Sequence, residues 1–176
     1  MEVCDEVKID KDTLLQSISR GTVTLEEAAR YIAEYINDEP EAEYEIAVGT
    51  DSMTYDVTKF ALAIIVHRKN TGAIFFIKRM YHKQYKKNML HEKLVAETQI
   101  SLDTSLYLLD EMLKYNIDLT DEKSNIQFKV HMDIGHGGPT KEYIDELEGW
   151  VKAYGLKYEI KPNSYASSTI ANKYSK

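Results

Sequence analysis

A chain of 176 residues, 43% apolar and 29% charged, has room for one well-packed domain and too little for two of full size. That balance excludes wholesale disorder, and no apolar run approaches the ~20 residues that span a bilayer, so no membrane partner is expected. The formal net charge of −7 argues against indiscriminate coating of nucleic acid, because phosphate binding needs local positive charge.

The opening stretch MEVCDEVKIDKD carries acids where a secretion signal needs a basic start and an apolar core, so a cytoplasmic protein is expected. Cys4 is the single cysteine, which leaves no disulfide framework and no thiolate metal knuckle. The first helix is well signed. Thr24 and Glu27 form a capping-box pair, Leu25, Ala28, Ile32 and Ile36 share one face, and Pro40 lies beyond its end. Residues 1–43 are therefore expected as an N-terminal helical extension to a domain over 44–176.

Three strands should follow. In YEIAVGTDSM, residues 44–53, Tyr44, Ile46 and Val48 alternate with Ala47, Gly49 and Asp51, and the run finishes on a carboxylate between small and hydroxyl neighbours. KFALAIIVHR is apolar on both faces and reads as a central strand. GAIFFIKRMY follows a turn around Asn70 and Gly72, which predicts a hairpin. A long helix is expected from about residue 91 to 115, with Leu94, Leu102, Leu106, Leu109 and Leu113 at helical spacing. IQFKVHMD alternates as a half-buried strand ending at Asp133. GHGGPT turns the chain into a helix from about 140 to 154, with Gly155 as its stop. LKYEIKP is a fifth strand closed by Pro162, and SYASSTIANKYSK a short final helix capped by Asn163 or Ser164.

The order is a helix, then β-β-β-α-β-α-β-α. A meander followed by α/β crossovers implies a mixed five-stranded α/β sheet with helices on both faces. In such sheets the reactive crevice lies at the carboxyl ends of parallel strands, where Asp51 and Asp133 both stand. If their strands are neighbours, ~4.8 Å apart, the two carboxylates repel, and a hard divalent ion such as Mg²⁺ or Mn²⁺ is the simplest compensation. A third ligand comes from the long helix. Glu97 lies on a line with Leu94, Ser101, Ser105 and Leu108 and so faces inward, whereas Glu92 is more outward. Each acid alone has an ordinary reading as a turn or surface residue; the three at one predicted switch point indicate a site.

Residues 78–93, KRMYHKQYKKNMLHEK, hold six Lys/Arg against Glu92 alone. This segment is either a solvated basic loop or a phosphate-contacting patch, with Lys83, Lys86 and Lys87 as the contacts. Tyr81 and Tyr85 among those lysines could stack on bases. His136 in GHGG is either a proton shuttle or phosphate contact, or a plain solvated loop residue. Gly137 and Gly138 allow an anion nest or an ordinary turn.

The run VGTDS, a hairpin, an inward Glu early in the next helix, and HMDIGHGG together resemble the ribonuclease H-like superfamily. More closely, with KPNSYASSTIANKY near the end, the chain looks like a small uncharacterised bacterial family assigned to that superfamily. The resemblance covers roughly residues 44–176. It implies a nuclease holding two Mg²⁺ or Mn²⁺ ions on Asp51, Glu97 and Asp133, flanking a scissile phosphate of RNA, DNA or a hybrid. Active relatives place a fourth acidic or histidine ligand on the last helix. This chain has no Asp, Glu or His from Ile160 to Lys176, leaving Asn172 as the nearest oxygen donor, with Lys173 beside it. The competing expectation is a catalytically weak or inactive module of the same fold that binds nucleic acid or protein. An ATP-using enzyme is disfavoured, since there is room for one such domain and no phosphate-loop fingerprint.

Overall fold

In the computed structural model, residues 7–83 and 85–166 are described in full and residues 3 and 4 by their backbone. Strands β1 (Val3–Cys4), β2 (Leu14–Ser17) and β3 (Gly21–Thr24) precede helix α1 (Leu25–Asp38). Three eleven-residue strands follow, β4 (Tyr44–Thr54), β5 (Thr58–Arg68) and β6 (Gly72–His82), then the long helix α2 (Leu90–Leu113). Strand β7 (Ile126–Met132), a 3₁₀ turn at Lys141–Tyr143, helix α3 (Ile144–Ala153) and strand β8 (Lys157–Glu159) complete the described elements.

The sheet is mixed, in the order β3-β2-β6-β5-β4-β7-β8, with β1 also pairing to β6. It has eight strands rather than the expected five. The three extra strands are two to four residues long, too short to show the alternation that exposes a strand in sequence. β1 and β2 pair along the outer edge of β6, where they cover backbone groups that would otherwise face solvent, and β3 adds to β2.

Strands β4, β5 and β6 form an antiparallel meander, so β4 and β6 run in the same direction, and β7 adds to β4 in parallel. The β5–β6 turn uses Asn70 at φ 69° and Gly72 at φ 134°, the left-handed positions expected of that tight connection. Thr24 caps α1, its Oγ1 accepting from the Glu27 backbone N–H at 3.1 Å. The core faces of β4, β5, β6 and β7 share one apolar cluster with α1, α2 and α3, through residues such as Ile32, Val48, Phe60, Leu108, Val130 and Leu147. All three described helices thus build the same core. The final helix expected from residue 163 onward runs into residues 167–176, which lie outside the described residues. At Ala166 the chain is packed on Ala47 and Ile65, on the other face of the sheet.

Candidate active site

The parallel ladder between β4 and β7 ends at the pair Thr50–Met132. Asp51 and Asp133 are the next residues on each chain, so two acids leave neighbouring strands at one level, about 4.8 Å apart in backbone spacing. Asp51 was expected at a strand end. Instead, β4 continues to Thr54 because β5 goes on pairing it, with Asp51 opposite Ala61. What stops at Asp51 is the pairing to β7, and that opens the crevice.

Glu97 approaches from α2. Alternation along β4 points Thr50 and Ser52 toward this helix and Asp51 to the opposite face. Thr50 Oγ1 and Ser101 Oγ lie 2.8 Å apart, which fixes the helix against the strand. One helical turn earlier, the Ser52 hydroxyl donates to Glu97 Oε1. The inward line inferred for α2 holds: Leu94, Glu97, Ser101, Ser105 and Leu108 are all buried. The small hydroxyls at 101 and 105 let the helix sit close to the sheet and bring a carboxylate to its edge.

The charges register this crowding. Burial pushes the Glu97 carboxyl up to about 8; the Ser52 hydrogen bond opposes the shift, Asp51 and Asp133 add to it, and Lys93 opposes it weakly. At neutral pH Glu97 is therefore mostly protonated. Asp51 accepts from the Ser52 backbone N–H at 2.8 Å. Asp133 is met by the Lys161 ammonium at 3.0 Å. Lys161 is itself held in place: its backbone N–H donates to the Ile134 carbonyl at 2.9 Å, and a Cβ at Gly135 would stand 3.0 Å from the Lys161 Cβ. Thr50, Glu97, Ser101, His131 and Asp133 line a cavity of about 10 Å³, room for roughly one water.

The donor set fits a hard divalent ion in kind, since it offers oxygen ligands whose negative charges crowd one another. As the side chains stand, no three His, Cys, Asp or Glu groups among the described residues converge on one metal position. Ser52 holds Glu97 and Lys161 holds Asp133, so both acids must turn to share an ion. Asn172, the expected fourth donor, lies outside the described residues, as does Lys173. The cation observed beside the acids is Lys161, which sequence reasoning passed over because it lies twenty-eight positions from its partner in the chain.

His131 was also missed. It is buried, and its Nδ1 accepts from the backbone N–H groups of Tyr165 at 3.1 Å and Ala166 at 3.3 Å. Burial lowers its pKa to about 4, so the ring is neutral and carries its proton on Nε2, which has no hydrogen-bond partner among the described residues. It anchors the segment that leads toward the chain's end.

The basic segment leaves β6 at the same end of the sheet as Asp51. The Tyr85 backbone N–H donates to Thr58 Oγ1 at 3.0 Å, tying this segment to the start of β5. Lys83, Lys86 and Lys87 are exposed, and Lys87 shares an open cleft with Gly138, Pro139 and Lys141 of the turn that follows His136. His136 is exposed. The base-stacking role expected of Tyr85 does not fit: its ring stacks on His82 at 5.2 Å and meets Phe60 edge-on at 6.1 Å.

Comparison with known proteins places this mixed sheet in a family. The family model described as Ribonuclease H-like matches residues 27–176. The chain belongs to this ribonuclease H-like family. It is also 33% identical, over 168 residues, to the uncharacterized protein YkuK of Bacillus subtilis (strain 168), a match covering 93% of this chain and 97% of that protein. The ribonuclease H-like match begins within α1, so it takes in most of that helix. Family membership supports a nuclease-type or nucleic-acid-binding module. Among the described residues, no helix is long and apolar enough to cross a membrane.

Proposed function

We propose that this chain is a divalent-metal-dependent nuclease that hydrolyses phosphodiester bonds of RNA, DNA or a hybrid, with Asp51, Glu97 and Asp133 as its metal-binding carboxylates. The observation that carries this reading is the Glu97 carboxyl, whose proton affinity is raised first by burial and then by Asp51 and Asp133. A buried carboxyl crowded by two further acids is a site with unmet need for positive charge.

Mg²⁺ or Mn²⁺ bound there would activate water for attack and offset charge on the leaving oxygen. The protein's part is to place and charge the groups. Glu97 would give up its proton and turn from the Ser52 hydroxyl to serve as a ligand. Asp51 and Asp133 present oxygens from two strands whose spacing the ladder sets. Lys93 near Glu97 and Lys161 on Asp133 bring positive charge to the edge where a phosphate would lie. The exposed Lys83, Lys86 and Lys87 extend that charge along the substrate, with the exposed His136 as a further phosphate contact.

The test is a cleavage panel of hybrid, duplex and structured single-stranded substrates in millimolar Mg²⁺ or Mn²⁺. Wild type should cut at least one class, and Asp51→Asn should reduce the rate by a hundredfold or more, as loss of a charge-stabilising group does. Absence of cleavage on every substrate would count against the assignment.

One observation favours a second reading. The Lys161–Asp133 pair, together with a C-terminal stretch lacking Asp, Glu and His, suits a module that binds nucleic acid without cutting it. Binding would then survive Asp51→Asn and weaken when Lys83, Lys86 and Lys87 are neutralised.

A further inference from the structure

Cross-strand partners in an antiparallel sheet share a face, and the pairing around Asp51 runs across three strands. Asp51 pairs with Ala61, and Ala61 with Arg79; one step toward the hairpin end, Met53 pairs with Lys59 and Lys59 with Tyr81. In the preceding row, Gly49 pairs with Ala63 and Ala63 with Ile77. All of these residues lie on the face opposite α2. Small residues, Gly49, Ala61 and Ala63, separate the acid from a cationic and aromatic group two strand spacings away, ~10 Å. There Arg79 is exposed and Tyr81 half-buried, and both line a cleft of about 450 Å³ with Gln16, Ile18 and Ile77. Lys59 lies beside Arg79. Its ammonium is held below the ordinary range, by burial first and then by the neighbouring guanidinium, so two like charges are kept together. None of this belongs to the exposed lysine loop, which leaves the sheet beyond His82.

We propose that this cleft is a strand-binding subsite for single-stranded nucleic acid, with Arg79 and Lys59 on the phosphate flanking the scissile position and Tyr81 stacking its base. The inference rests on the nuclease reading of the neighbouring acids and specifies where the substrate strand runs. Chemistry selects this ligand. A planar guanidinium suits phosphate oxygens, an aromatic ring two residues further along the same strand suits any base, and the small floor lets a backbone pass close to the sheet. The apolar wall of Ile18 and Ile77 suits the face of a base and gives no purchase to a second phosphate.

The experiment is fluorescence-anisotropy binding of a labelled single-stranded oligonucleotide in EDTA, so that no cleavage intervenes. Variants are Arg79→Glu, Lys59→Gln, Tyr81→Ala, Tyr81→Phe, Asp51→Asn and the triple change Lys83→Gln, Lys86→Gln, Lys87→Gln. Arg79→Glu and Tyr81→Ala should each weaken binding roughly tenfold, Tyr81→Phe should restore near wild-type affinity, and Arg79→Glu should flatten the salt dependence by about one phosphate contact. Asp51→Asn should bind at least as well as wild type, since it removes a negative charge. Unchanged affinity for Arg79→Glu and Tyr81→Ala, beside a large loss in the triple lysine variant, overturns the subsite and leaves the nuclease reading standing. No binding by wild type to RNA, DNA or hybrid overturns both. Equal losses for Tyr81→Phe and Tyr81→Ala, or a lowered melting temperature matching the binding loss, overturn the stacking role.

Discussion

Glu97 is where the chemistry of the site is written most plainly. A carboxyl that titrates near 8 when folded and near 4.5 when unfolded takes up a proton on folding throughout the interval between. Stability of the metal-free protein therefore falls as pH rises from about 4.5 to about 8, and the whole penalty is present above that range. His131 acts in the opposite sense. Its folded pKa near 4 lies below the ordinary 6.5, so its contribution is present above 6.5 and is lost as pH falls toward 4. Of these two groups, Glu97 alone still titrates between pH 6.5 and 8. Glu97→Gln should raise the melting temperature in EDTA at pH 8 by several degrees, a gain on the order of 2 kcal/mol, and should flatten the slope between 6.5 and 8. A melting temperature equal to wild type at pH 8 would show that Glu97 is not a strained acid. The inward position of Glu97 was legible in sequence, because one helix face carries Leu94, Ser101 and Leu108. Its partner Ser52 was not, since a serine inside a strand gives no sign of which acid its hydroxyl will meet.

At the scale of elements, the site is a consequence of where ladders stop. β4 has eleven residues and pairs with β5 along all of them, while β7 covers only Tyr44 to Thr50. β4 is therefore flanked on both sides below Asp51 and loses its β7 neighbour above it. Alternation in the sequence located Asp51 and Asp133. It could not show that β4 runs on to Thr54, because Ser52, Met53 and Thr54 suit either a turn or a strand. On the far face His131 performs the anchoring, holding two consecutive backbone N–H groups with one ring nitrogen. His131→Ala leaves both donors buried without a partner and should cost about 3 kcal/mol, whereas His131→Asn, which returns an acceptor oxygen, should recover part of the loss. Chemical denaturation of the three proteins measures this; equal stability for all would remove the anchoring role. The three strands before α1 were illegible for a different reason. Elements of two to four residues depend on pairing to β6 or to one another, and nothing local announces it.

For the molecule as a whole, charge is distributed against its total. The chain is net negative, yet the segment from β6 into α2 holds six cations against one acid, and it leaves the sheet at the end where Asp51 lies. Association with nucleic acid should be strongly salt-dependent despite the acidic composition. Neutralising Lys83, Lys86 and Lys87 together should reduce the slope of log affinity against log salt by roughly two to three. A slope unchanged by that substitution would mean the loop is merely solvated. The general architecture, a mixed α/β sheet, was legible in the succession of hairpin and crossover signals. That α1, α2 and α3 share a single core was not, since amphipathic helices do not reveal which face of a sheet they will cover.

On the nuclease reading, Asp51, Glu97 and Asp133 turn from their present partners to share divalent metal. A crystal soaked in Mn²⁺ and measured for anomalous scattering tests it directly. A Mn²⁺ peak should stand about 2.1 Å from an oxygen of each of the three carboxylates, with Glu97 released from Ser52 and Asp133 from Lys161. A map with no peak there, and with both of those pairs intact at millimolar Mn²⁺, would contradict it.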